Sequence, residues 1–177
     1  YDYSSTQVNL PDQAANTIKA YGEKIPDDEL YIDPEDPSSG REDEPHVTVR
    51  YGIDTADAAD VSPAFEGLAP ITVKLGKVSI FTPDEKYDVV KIDIESPDLQ
   101  AANKRVGETV ALPGETYKDY KPHATIAYVK KGEGEKYVGD TFLQGKEFTI
   151  NAVTFSAKNG KSYEIPLTGK PTVAEPE

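Results

Sequence analysis

Only two histidines occur in the 177-residue chain, and both sit in the same setting. Residues 45–51 read PHVTVRY and residues 122–128 read PHATIAY, each a Pro-His-x-Thr-apolar-x-Tyr segment. Two imidazoles with two hydroxyls are a kit for moving protons around a phosphate. A neutral imidazole takes a proton from an attacking oxygen, and a protonated one gives a proton to a leaving oxygen. Model imidazole pKa values near 6.5 allow one of each form close to neutrality. Hydroxyls donate to the non-bridging oxygens, where charge builds up in the transition state. His46 and His123 are therefore the candidate acid/base pair, and Thr48 and Thr125 the candidate phosphate-binding hydroxyls. The scheme needs no metal and no cofactor.

Both segments have the alternation of a strand. Successive side chains on a strand point to opposite faces, so His46 and Thr48 share one face, about 7 Å apart, as do His123 and Thr125. Strict alternation also puts Glu44 and Arg50 on the face of His46, and Lys121 on that of His123. Arg50 and Lys121 are further candidate phosphate ligands, and Glu44 a partner for His46. The same alternation turns Tyr51 and Tyr128 away into the core. Tyr1, Tyr3, Tyr117, Tyr120 and Tyr137 are candidate faces for stacking a base.

Paired PHVT and PHAT segments 77 residues apart resemble the His-x-Thr motifs of the 2H phosphoesterase superfamily, which includes the 2'-5' RNA ligases. The resemblance implies an α+β fold of two pseudo-symmetric lobes, with antiparallel sheets lining a central cleft where the motifs meet. It also implies metal-independent cleavage of small phosphodiesters: 2',3'-cyclic phosphates, 2'-5' oligoadenylates or cyclic nucleotide signals. The phage anti-CBASS nucleases, which destroy such signals, are one branch of that resemblance.

Composition narrows the partners. A net charge of -13 repels the backbone of long duplexes, because polymer binding depends on Lys and Arg neutralising phosphates. A small nucleotide or short oligonucleotide in a cleft remains compatible. No cysteine is present, which removes disulfides, thiol nucleophiles and cysteine zinc sites. A metal held by two histidines would need added carboxylates, and His-x-Thr is not a familiar ligand spacing. No apolar run reaches membrane-helix length and no signal peptide is legible, so a cytoplasmic setting without membrane contact is expected. The chain has no methionine, which suggests a processed product or a piece of a longer protein. Two other readings stay open: a nucleotide-binding module without turnover, and a structural domain with incidental histidines.

The elements that must position the motifs follow from local pattern. YDYSSTQVNL reads as a strand, and DQAANTIKAYGEKI as a helix entered through Pro11. Residues 27–45, acidic and proline-rich, read as an exposed loop leading into the first motif, in a position to act as a lid. A short helix around 54–68, broken near Pro63, follows the first motif. ITVKLGKVSIF and DVVKIDIES form a hairpin, and PDLQAANKRVGE forms a second full helix. After the second motif, EFTINAVTFSA and KSYEIPL read as two strands joined at Asn159-Gly160. Residues 1–167 are expected to form one bilobal domain and residues 168–177 a linker-like tail.

Overall fold

A computed structural model describes residues 2–115 and 119–169. Eight strands form one sheet: β1 (Ser4–Asn9), β2 (His46–Ile53), β3 (Ile71–Phe81), β4 (Tyr87–Glu95), β5 (His123–Lys130), β6 (Glu147–Ile150), β7 (Ala152–Ser156) and β8 (Ser162–Pro166). Their order is β6-β3-β4-β5-β2-β1-β7-β8, and every paired neighbour is antiparallel. This is the expected α+β architecture. Three helices accompany the sheet: α1 (Asp12–Glu23), α2 (Ala58–Val61) and α3 (Pro97–Thr109).

The sheet falls into two four-stranded halves that meet at β5 and β2. Inside each half the ladders are long, whereas β2 and β5 share the single register pair Val47↔Ala124. The strands diverge beyond it, and residues 30–42 enter the gap. Tyr31 donates its N–H to the Tyr128 carbonyl (3.0 Å), Tyr128 to Gly40 (2.8 Å) and Glu42 to Ile126 (3.0 Å). The expected free loop is thus partly a strand substitute that satisfies the edge of β5. Arg41 anchors it, donating to the Gly22 and Ile25 carbonyls at the end of α1 and pairing with Asp27. The guanidinium adds a donor to the Gly22 carbonyl, which also accepts the Ile25 N–H, and meets the Ile25 carbonyl just beyond the helix, where a cation suits the helix C-terminus.

Both long helices cover one face of the sheet. α1 buries Ala14, Ile18 and Tyr21, and α3 buries Leu99, Ala102 and Val106, each a helical stripe. Ser96 caps α3 by accepting the Leu99 N–H, with Pro97 in the first turn. Val8, Val47, Val49, Ala124 and Ile126 point to this helical face, each 2% exposed or less. The opposite face stays open and carries the cleft.

EFTINAVTFSA is not one strand. It breaks at Asn151: β6 pairs with β3 at one end of the sheet, while β7 pairs with β1 in the other half. A single residue joins them, so the sheet must curl to bring its β6 edge beside β7. The short helix ends where expected, α2 giving way to a single 3-10 turn at Ser62–Ala64.

Candidate active site

The Val47↔Ala124 pair sets the site. Both side chains are fully buried on the helical face, so their neighbours in each strand point to the open face. Antiparallel register then brings His46 across from Thr125, and Thr48 across from His123. All four candidate residues converge on one patch. Directly opposed side chains in such a ladder have Cβ atoms about 5 Å apart.

Each imidazole is oriented the same way. His46 Nδ1 lies 2.9 Å from the Glu44 carbonyl oxygen, and His123 Nδ1 lies 3.1 Å from that of Lys121. A carbonyl can only accept, so Nδ1 carries the hydrogen and Nε2 is left for the cleft. Glu44 therefore serves His46 through its backbone, not through its carboxylate. The Lys121 side chain is exposed, and its backbone does the orienting.

Alternation fails in the same place in both strands. On β2, Gln7 pairs with Thr48 and Thr6 with Arg50, leaving Val49 as an extra residue. On β5, Lys91 pairs with Thr125 and Val90 with Ala127, leaving Ile126 extra. Each is a β-bulge three residues after the histidine, and a bulge shifts the facing of everything beyond it. Arg50 consequently turns to the helical face, contrary to its expected place beside His46. There it donates to Asn103 on α3 (2.9 and 3.0 Å) and to both Glu115 carboxylate oxygens (2.8 and 2.9 Å). Tyr51 and Tyr128 move the other way, onto the open face, correcting their expected burial in the core. Tyr51 is 48% exposed.

Other open-face neighbours were not singled out by sequence. Asp93 pairs in register with His123, and Lys91 with Thr125. The Lys91 ammonium donates to Asp93 (2.8 Å) and to the Ser79 hydroxyl (2.6 Å). Asn9 stands opposite His46, and Gln7 opposite Thr48; the Gln7 amide donates to Asn9, and Asn9 to Thr154. Charged residues alternating with Val90 and Ile92 marked Lys91 and Asp93 as one face of a strand. Nothing local said that this strand would border the second motif.

His123 reaches solvent along the cleft while protein surrounds it elsewhere. Burial pushes its pKa below the usual 6.5; the Lys121 carbonyl opposes this, Lys91 and His46 add to it, and Asp93 counters. The Tyr120 hydroxyl donates to the Thr48 carbonyl (2.7 Å), tying the approach to β5 onto β2. Burial raises the pKa of that phenol, which keeps it a donor. Among the other stacking candidates, Tyr137 bonds Glu29 and packs edge-on against Tyr21. Tyr3 lies edge-on to Tyr51, and Tyr1 and Tyr117 lie outside the described residues. Among the described residues no group of three or more His, Cys, Asp or Glu is arranged to hold a metal, and no helix is long and apolar enough to cross a membrane.

A curled antiparallel sheet presenting two His-x-Thr strands across one seam is the architecture of a 2H phosphoesterase. The chain belongs to the 2'-5' RNA ligase superfamily, whose model matches residues 10–161. Three solved structures share the fold at low identity. TT0787 of Thermus thermophilus aligns with a TM-score of 0.66 at 16% identity, over 96% of this chain and 100% of its own. Kluyveromyces marxianus Usb1 gives 0.63 at 10%, over 94% and 98%. Apo LigT of E. coli gives 0.59 at 17%, over 94% and 95%. Comparison with curated protein sequences gave no match.

Proposed function

We propose that the protein is a two-histidine phosphodiesterase acting on a small nucleotide or a short oligonucleotide without a metal. The observation that carries this reading is the Val47↔Ala124 pair, whose register sets two oriented imidazoles and two threonine hydroxyls around one open patch. Superfamily membership supports phosphoesterase or ligase-like chemistry. Fold relatives have been solved with ligands of the right class: LigT with 3'-AMP and with phosphate, and Usb1 with uridine monophosphate.

In this mechanism the scissile phosphate sits between Thr48 and Thr125, which donate hydrogen bonds to its non-bridging oxygens. One neutral imidazole removes the proton of the attacking group through Nε2 as the new P–O bond forms. The other imidazole, protonated, gives its Nε2 proton to the leaving oxygen as the old P–O bond breaks. If a neighbouring 2'-hydroxyl attacks, the product is a 2',3'-cyclic phosphate; if the substrate is already cyclic, water attacks. We assign His123 the base role, because burial and the Lys91 ammonium favour its neutral, proton-accepting form. His46 then supplies the proton to the leaving group.

The test is chromatographic turnover in EDTA over 2',3'-cyclic mononucleotides, 2'-5' oligoadenylate, and cyclic di- and trinucleotides. Parent activity that is lost in both His46→Ala and His123→Ala supports the reading. Turnover that needs an added metal, or survives either substitution, overturns it. Saturable binding without product would leave a nucleotide-binding module instead.

A further inference from the structure

The two histidines have different neighbours on their outer sides. On β1, Asn9 stands in register with His46, and both ends of its amide are taken. Its Oδ1 accepts from Gln7 (2.8 Å) and its Nδ2 donates to the Thr154 hydroxyl (3.2 Å). On β4, Asp93 stands in register with His123. Its Oδ1 accepts from the Ser79 hydroxyl (2.7 Å) and the Lys91 ammonium (2.8 Å), and that ammonium closes a triangle by donating to Ser79 (2.6 Å). Its Oδ2 has no hydrogen-bond partner among the described residues, and the Asp93 side chain is 48% exposed.

The triangle holds one carboxylate oxygen and leaves the other to the open face. The Lys91 ammonium also offsets the carboxylate charge, which would otherwise repel a phosphate at Thr125. What remains is an acceptor oxygen beside His123, on a residue whose Cβ is about 5 Å from that of the histidine. Such a span suits a bridging water. The two attacking groups considered above differ here. A sugar hydroxyl brings one hydrogen, which the base removes. A water brings two, and the second needs an acceptor of its own if the oxygen lone pair is to face phosphorus.

Resting on the phosphodiester reading above, we infer that Asp93 orients an attacking water. Its Oδ2 accepts one O–H of that water while His123 Nε2 takes the proton of the other. As the new P–O bond forms, the opposite P–O bond breaks and its oxygen takes the proton of His46. The water proton ends on His123, so the two histidines exchange protonation states and no further reactant is consumed. Water enters on the His123 side, and the leaving oxygen departs on the His46 side, where the amide of Asn9 is already engaged. Ser79 and Lys91 serve the step by holding Asp93.

Product partition tests this. Opening a 2',3'-cyclic mononucleotide in buffer containing methanol gives the phosphomonoester from water and its methyl ester from methanol, which brings a single O–H. Asp93→Asn keeps an oxygen for Ser79 and Lys91 and puts an amide donor where the second acceptor stood. Both proteins are compared above their acid limbs, where protonation of His123 limits neither. Hydrolysis should fall about 10- to 100-fold, the scale of one hydrogen bond to a charged group. Methanolysis should fall less, so the ratio of methyl ester to monoester should rise about tenfold or more. That ratio does not depend on how much of the variant is folded. An unchanged ratio, or parental hydrolysis in Asp93→Asn, would overturn the role of Asp93. So would a parent that opens no 2',3'-cyclic mononucleotide while cleaving another substrate of the turnover panel. No product from the parent on any substrate is a separate outcome: it sinks the phosphodiester reading, and this inference with it.

Discussion

Val47 and Ala124 face each other across the seam between β2 and β5, the one register pair these strands share. Both side chains are fully buried on the helical face, and the proposed reacting groups stand on the other side of the same two backbones. The seam therefore links core packing to the geometry of the site.

Enlarging Ala124 should show that link. Ala124→Leu adds volume where none is free and is expected to cost about 1–3 kcal/mol. It should also spread the two motif strands. Urea unfolding would measure the first effect, and kcat the second. A stable variant with parental kcat would mean that the seam does not set the site.

His46→Ala and His123→Ala should each lower kcat by about 10²–10⁴-fold, the usual scale of a positioned acid or base. Thr48→Ala and Thr125→Ala should lower it by about 10²-fold, as for a lost oxyanion donor. Circular dichroism should show all four folded, because these side chains lie on the open face. Single-turnover rates would separate chemistry from binding.

The pH profile should be bell-shaped, with its acid limb below 6.5. His123 must be neutral to act as base, and its folded-state pKa is depressed, so on the acid side activity is lost as pH falls through that lower value. Linkage gives the matching stability effect. The unfolded chain binds a proton at this residue more readily, so the His123 contribution is full above 6.5 and is lost as pH falls through the folded pKa. Lys91→Met should move the acid limb upward, since the ammonium is one of the groups lowering the pKa. A limb that stays put would remove Lys91 from this role.

Arg50→Met should act on stability, not on substrate affinity. It removes the ion pair with Glu115 and the bonds to Asn103 at a largely buried position. A cost of about 2–3 kcal/mol is expected, read as a lower denaturant midpoint. A raised KM with unchanged stability would instead return Arg50 to the phosphate.

Arg41→Ala should free the inserted loop. It loses bonds to the Gly22 and Ile25 carbonyls and the pair with Asp27, which together hold residues 30–42 against β5. Hydrogen exchange should rise at the Tyr31, Glu42 and Tyr128 amides and stay low at β4. Unchanged protection would mean that the ladder bonds alone hold the loop.

Local pattern was enough for much of this. The repeated Pro-His-x-Thr segment announced two strands, four candidate reacting groups and their shared face, because a strand's alternation is set by its own backbone. Prolines at their starts likewise marked α1 and α3. What local pattern missed lies where partners intervene. Arg50, Tyr51 and Tyr128 face opposite to simple alternation because β1 and β4 each oppose one residue where β2 and β5 have two, and a bulge is a property of a pair of strands. EFTINAVTFSA looks continuous because both pieces have strand patterning; its break at Asn151 follows from the curl that brings opposite ends of the sheet together. Residues 30–42 look solvated by composition, yet the gap between diverging strands left backbone groups on β5 that this segment satisfies. The two short motifs were thus enough to nominate the groups for the chemistry. Their surroundings came from the folded sheet, since register between strands distant in the chain is set by packing that no single segment contains.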